Sequence, residues 1–228
     1  KEDMDFLERN GKSIRKIKDI ATIQNGIVTN LDSVYIHKIF LDTQCTILYQ
    51  GENIPWVYFE EDGKIIEIER DILRPCVKES KYHGKIDTYI IFPYKNGKTF
   101  TEEDWKKFQK AYTYLEKHRE KLEKRDMDYK CAWWEYGRRQ GLKNIEKKKI
   151  IFSHIINRKC SNIQPYLLGE DVVVYSGLYL TTDGDLEKIV DILKSEDFSR
   201  YCTLVGKDMS GGYVSVSSKM VKNFGTVT

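Results

Sequence analysis

The amino-acid sequence predicts an α+β domain: a mixed, largely antiparallel sheet with several packed helices. Three observations carry this. Short β-branched and aromatic runs recur at irregular spacing, two amphipathic helical stretches are clear, and no βαβ alternation connects them. With 228 residues, 40% hydrophobic and 12% aromatic, the chain has enough material for a packed core. It reads as one domain over 1–228.

Residues 1–14 read as a lead-in from a preceding domain. The chain opens at Lys1-Glu2 with its first methionine at Met4, so it is expected to be a piece of a longer protein. A first strand is expected near Ile20-Ala21-Thr22-Ile23. The polar turn Gln24-Asn25-Gly26-Ile27-Val28-Thr29-Asn30 follows, and its Asn-Gly pair marks tight geometry. Strand character resumes at 33–37. Further strands are expected at 44–49, 64–69, 88–92, 149–153, 171–175, 177–182 and 213–217.

Thr101-Glu102-Glu103-Asp104 has the form of a capping box. Beyond it, Trp105, Phe108, Tyr112, Leu115 and Leu122 repeat at helical steps, predicting one helix to about Arg125 that packs through an aromatic stripe. A second helix starts near Asp185, with Leu186, Ile189, Val190 and Leu193 as its apolar face. Ser195-Glu196 interrupts it, and Phe198, Tyr201 and Cys202 restart the period.

Charge is uneven along the chain. The net charge is +3, yet 137–159 holds eight Lys or Arg against Glu146 alone, a local excess of +7. Such asymmetry points to a polyanion approached from one side. The five cysteines (Cys45, Cys76, Cys131, Cys160, Cys202) are scattered and odd in number. They suit a reducing compartment better than a disulfide framework, and no spacing suggests zinc. No apolar run is long enough for a membrane span, so a cytoplasmic location without membrane contact is expected.

Catalytic signatures are missing. An adenine-methylating enzyme needs an Asn/Asp-Pro-Pro-aromatic loop. Phe92-Pro93-Tyr94 and Gln164-Pro165-Tyr166 lack its second proline and polar lead. No Gly-rich cofactor loop joins a strand to a helix, and no nucleophile sits in an elbow. Glu146-Lys147-Lys148 matches a nuclease Glu-x-Lys triplet but has no acidic partner nearby. The chain alone is therefore read as a binding module without catalytic residues, metal or cofactor.

Three constellations could contact DNA. Cys131-Ala132-Trp133-Trp134-Glu135-Tyr136-Gly137-Arg138-Arg139-Gln140 runs aromatics into two arginines just before the basic stretch. Arginine can bond bidentately to guanine and glutamine to adenine, and Trp134 and Tyr136 could support them. Lys147, Lys148 and Arg158 extend the basic surface. Ser210-Gly211-Gly212 could bring backbone N–H groups to a phosphate. In the opening turn, Gln24, Asn25 and Thr29 could read base edges or anchor phosphates.

In order, these pieces resemble the TaqI-like C-terminal specificity domain of type II restriction-modification enzymes and N6-adenine DNA methyltransferases. The opening 23–36 is similar to that domain's "GI-x-TG-x-D-x-x-F/Y-I/V" start. Ile72-Leu73-Arg74-Pro75, Ile91-Phe92-Pro93-Tyr94, the helix at 114–125 and the WWEYGR run at 133–138 follow. Lys149-Ile150-Ile151-Phe152, the helix at 186–193 with Ser195, and Gly211-Gly212-Tyr213 complete a match over about 15–225. The resemblance implies a target-recognition fold that grips duplex DNA. A catalytic domain of the same polypeptide would bind S-adenosylmethionine, flip the adenine and methylate it. The family's Thr-Gly in the opening loop is Thr29-Asn30 here. The alternatives are an assembly module like that of a type I specificity subunit, and a divergent metal-dependent nuclease using Glu146.

Overall fold

Strand patterning sorts the chain into three larger sheets and two hairpins, in a computed structural model that describes residues 1–40, 56–127, 129–138, 140–159 and 162–226. Arg139 and the strand expected at 44–49 lie outside the described residues. The architecture is α+β, and among the described residues every strand pair but one is antiparallel. The exception pairs Val173–Val174 with Cys76 and Val77.

The first sheet runs in the order Thr22–Asn25, Leu178–Thr181, Lys149–Ile151, Tyr166–Leu168. Its two inner strands are buried at every position, as strands covered on both faces must be. Alternate residues feed two cores. Ile150, Leu178 and Leu180 join a cluster with Phe152, Phe198 and Phe224. Ile151 and Tyr179 join a smaller one with Val77 and Leu168.

A second sheet orders Val173–Val174, Leu73–Val77, Thr88–Ile91 and Ile36–Lys38. It shares a core with the helices after Thr101 and with the hairpin Trp56–Glu61/Lys64–Glu69. That hairpin turns at Asp62-Gly63 (φ 50° and 74°), and Tyr94–Lys95/Lys98–Thr99 turns at Asn96-Gly97 (φ 50° and 71°). Two consecutive positive φ values give the turn whose twist matches the flanking strands, which favours Asn-Gly and Asp-Gly. The third sheet joins Ile155–Asn157, Tyr213–Ser215 and Lys207–Met209.

The long helix expected after Thr101 is three shorter pieces: Glu102–Trp105, Gln109–Lys117 and Arg119–Glu123. The first has the expected capping box, with Thr101 Oγ1 accepting from the Asp104 N–H at 3.3 Å and Asp104 Oδ2 accepting from the Thr101 N–H at 2.9 Å. The break at Phe108 (φ −129°, ψ 52°) has a tertiary cause. The buried Glu69 carboxylate accepts the N–H groups of Lys110 and Ala111 at 2.8 and 2.9 Å, starting a new helix under a negative charge. The aromatic stripe still packs inward, with Trp105 and Leu115 buried.

Later in the chain, Asp185 caps Leu186–Lys194 and Ser195 caps Glu196–Val205, as the interrupted period implied. The stretch expected as a lead-in is mostly the helix Glu2–Gly11, which packs Phe6 into the core of the C-terminal helices. Arg200 lies 4.8 Å over the Phe6 ring and binds Asp3 at 2.7 Å.

Lys149, counted with the basic run, is a correction to the charge reading because it is wholly buried. Its ammonium donates to the carbonyls of Ile145, Lys147 and Glu170 at 2.6, 2.8 and 3.3 Å, pinning the preceding basic turn to the first sheet. Burial pushes its pKa down from 10.5 to about 8. Between those values the unfolded chain holds the extra proton, so this residue makes stability rise with pH. Denaturant titrations should show the native chain gaining on Lys149→Met from pH about 8 to 10.5, by at most about 3 kcal/mol. Parallel curves for the two proteins would contradict this.

Candidate nucleic-acid interface

The opening loop is laid into the fold by backbone contacts too close for side chains. Gly26 N–H donates to the Gly177 carbonyl and Ile27 N–H to that of Val174, both at 2.9 Å. A Cβ on Gly26 would sit 2.6 Å from the Val174 oxygen. On the other side, Arg138 N–H donates to Val28 (3.1 Å) and Gly137 N–H to Thr29 (3.2 Å). Gly141 packs so closely that its Cβ would lie 2.5 Å from Ile27 Cα. Two of the three constellations, 24–30 and 131–140, are thereby joined through Gly137 and Arg138.

Arg125 fastens this junction. Its Nη1 donates to the Thr29 carbonyl at 2.6 Å and its Nη2 to those of Trp133 (2.9 Å) and Glu135 (2.8 Å), while Nε reaches Leu122 (2.9 Å). The guanidinium also lies 5.4 Å over the Tyr35 ring. Asn30 occupies the position where the resembling family has glycine. It holds φ 58°, a left-handed conformation that Asn tolerates, and its Nδ2 donates to the Asp126 carbonyl at 2.5 Å.

The surface carries exposed Asn25, Asn30, Arg138, Gln140 and Lys143, with exposed Lys148 further along the chain. Three residues expected among the contacts serve the framework instead. Tyr136 is completely buried, its hydroxyl donating to the Ile91 carbonyl at 2.6 Å and its N–H to Tyr94 at 2.7 Å. Thr29 is also buried, its hydroxyl binding Asp32 at 2.5 Å and accepting the Leu31 N–H at 3.0 Å. Gln24 is half-buried. It accepts from Asn144 at 2.9 Å and donates to the Lys143 carbonyl and the Tyr179 hydroxyl, which locks its amide within the fold. Trp134 is half-buried too, with its indole N–H on Thr99 Oγ1 at 3.1 Å.

The third constellation forms a separate group. Ser210, Gly211 and Gly212 make the exposed turn of the hairpin 207–215, with Gly211 and Gly212 at φ 75° and 79°. Arg158 N–H donates to the Gly212 carbonyl at 3.0 Å, so that arginine sits beside the turn. Its guanidinium holds Asp208 at 2.6 Å, and Lys147 holds Asp183 at 2.8 Å. Glu146, the candidate of the nuclease reading, is bound to Arg74 at 2.9 Å.

Sequence reasoning missed Arg125, Asn144 and Asn30 as organisers. Only the Asn-for-Gly exchange in the opening loop gave any signal. Gly141→Ala should cost about 1–3 kcal/mol, because backbone opposes the added methyl. Gly212→Ala should cost only about 1 kcal/mol of left-handed strain, since nothing lies within 4 Å of its Cβ. Chemical denaturation of both variants checks this, and equal costs would contradict it.

No protein-family model matches the chain. The type II restriction enzyme and methyltransferase RM.Eco57I of Escherichia coli is 25% identical over 226 residues, taking in 88% of this chain and 22% of that protein. Among solved structures, the type IIL restriction-modification enzyme MmeI, determined in complex with DNA, superposes with a TM-score of 0.59. That match covers 92% of this chain and 25% of MmeI at 10% identity, and shows a shared fold. The chain spans about a fifth of the curated relative and a quarter of the structural one. It is thus related in sequence to one part of a type II restriction-modification enzyme and shares the fold of a part of another.

Proposed function

We propose that this chain is the target-recognition unit, over residues 1–228, of a TaqI-like N6-adenine DNA methyltransferase or a fused type II restriction-methylation enzyme. The observation that carries the reading is the joining of the opening loop to the segment bearing Arg138 and Gln140. This pairing brings exposed Asn25, Asn30, Arg138 and Gln140 onto adjoining backbone. MmeI was solved on DNA and RM.Eco57I is a methyltransferase by name, so duplex DNA is the partner proposed here.

In this reading Arg138, Arg139, Gln140 and Asn25 face the bases, Arg139 being assigned from sequence alone. Lys147, Lys148, Arg158 and the Ser210-Gly211-Gly212 turn take the phosphates. Phosphate contacts supply affinity that falls with salt, and the few base contacts supply discrimination. The chemistry belongs to a catalytic domain of the same polypeptide, which would hold S-adenosylmethionine. The present chain positions the DNA and contributes no catalytic group. Among the described residues no helix is long and apolar enough to cross a membrane, and a cytoplasmic location suits a DNA-binding role.

Selection from a random duplex library, followed by fluorescence anisotropy across a salt series, tests the proposal. Salt-sensitive binding with one enriched sequence is expected. Arg138→Ala should cost about 1–3 kcal/mol on the enriched duplex and less on others if it reads a base. Lys148→Ala should weaken all duplexes alike and lower the salt slope by about one. Absence of duplex binding at low salt would overturn the reading in favour of an assembly module.

A further inference from the structure

Beside the joined surface is a cavity of about 580 Å³, large enough for a nucleobase, between the helices after Thr101 and the segment at 127–134. Tyr112, Trp133 and Trp134 line it, each only partly buried. Their rings meet at steep angles: Trp133 to Trp134 at 5.3 Å and 77°, Tyr112 to Trp133 at 5.8 Å and 62°. Edge-to-face packing holds these rings at steep angles, and Trp133 remains partly exposed where it lines the cavity. Trp134 is anchored through Thr99, whereas the indole N–H of Trp133 has no partner among the described residues.

Cations accompany the rings. The Arg119 guanidinium lies 5.2 Å over the Trp133 ring, and exposed Lys130 lines the same cavity. Of the two lining carboxylates, Glu123 is taken up by Arg119 at 2.8 Å and Glu102 lies in the first turn of its helix. Arg125, the residue that also holds the Thr29 and Trp133 carbonyls, lines the cavity as well. A ligand in this cavity is therefore one arginine away from the opening loop.

We propose that Tyr112, Trp133 and Arg119 form a stacking site for one unpaired nucleobase of the bound DNA, with Lys130 near its phosphate. The inference rests on the DNA-recognition reading. Aromatic and guanidinium planes accept any base face, and the flanking cations suit the attached phosphate. A paired base is denied the site by its own stack.

The test compares a short duplex carrying a single unpaired central adenine with its fully paired counterpart, bound to this chain. The bulged duplex should bind roughly five- to a hundredfold more tightly, the range expected for one base on an aromatic platform. Trp133→Ala should bring the ratio of bulged-duplex to paired-duplex affinity to about one, and Trp133→Phe should retain most of the preference. General destabilisation would weaken both duplexes alike, so the ratio isolates the pocket. Paired-duplex binding without a bulge preference, or a preference that survives Trp133→Ala, would overturn the stacking site alone. Absence of all duplex binding would instead remove the recognition reading. In that case adenosine monophosphate decides the pocket: saturable quenching of tryptophan emission, weakened in Trp133→Ala, supports it, and unsaturable quenching equal in both proteins refutes it.

Discussion

The guanidinium of Arg125 is the interaction on which the proposed DNA-facing surface depends. It donates to four backbone carbonyls, those of Leu122, Thr29, Trp133 and Glu135. Three of these belong to irregular backbone, where Arg125 stands in for a ladder or helix, shared at Thr29 with the Gly137 N–H, and buried carbonyls without partners are costly. Hydrogen bonds from a charged donor are worth about 1.5–3 kcal/mol each. The planar, always-charged fork can serve several acceptors at once, which a lysine ammonium on a flexible stem does less well. The loop at 24–30, the end of the aromatic helix and the segment at 133–138 are thereby set in one geometry. A reader of base edges needs such rigidity, since its side chains must arrive without first being ordered.

Charge is distributed by the same logic of placement. The local excess of +7 in the sequence does not reach the surface whole. Lys149 is buried on three carbonyls, Lys147 is engaged by Asp183 and Arg158 by Asp208. Those two partners are almost fully exposed, at 91% and 84% for their side chains. Exposed pairs of this kind contribute little to stability, so a phosphate can displace either carboxylate at small cost.

Much of the fold was legible because it follows from local rules. The strand at 64–69 and the caps at Thr101, Asp185 and Ser195 sit where pattern and capping chemistry place them. Asp62-Gly63 and Asn96-Gly97 carried hairpin signals that also give the unforeseen strands Trp56–Glu61 and Tyr94–Lys95. The break at Phe108 could not be read, because the carboxylate that restarts the helix is Glu69, from a distant strand. In the site, Arg138, Gln140 and Asn25 are on the surface. Tyr136 and Thr29 stand in the same motifs yet are buried, and residue type cannot separate a reader from a wedge. Arg125 looked like the solvated end of an amphipathic helix. Its role comes from carbonyls 96 and about ten residues away, which no local pattern reports.

On the proposed reading, the opening loop and the segment after Tyr136 act as one DNA-contacting surface. Amide hydrogen exchange on the chain, with and without the duplex enriched by selection, tests it most directly. Residues 25–30 and 137–144 should gain protection together on DNA, while the helix Glu2–Gly11, packed on the C-terminal helices, should not change. Protection of one segment without the other, or confined to the Glu2–Gly11 side, would contradict it.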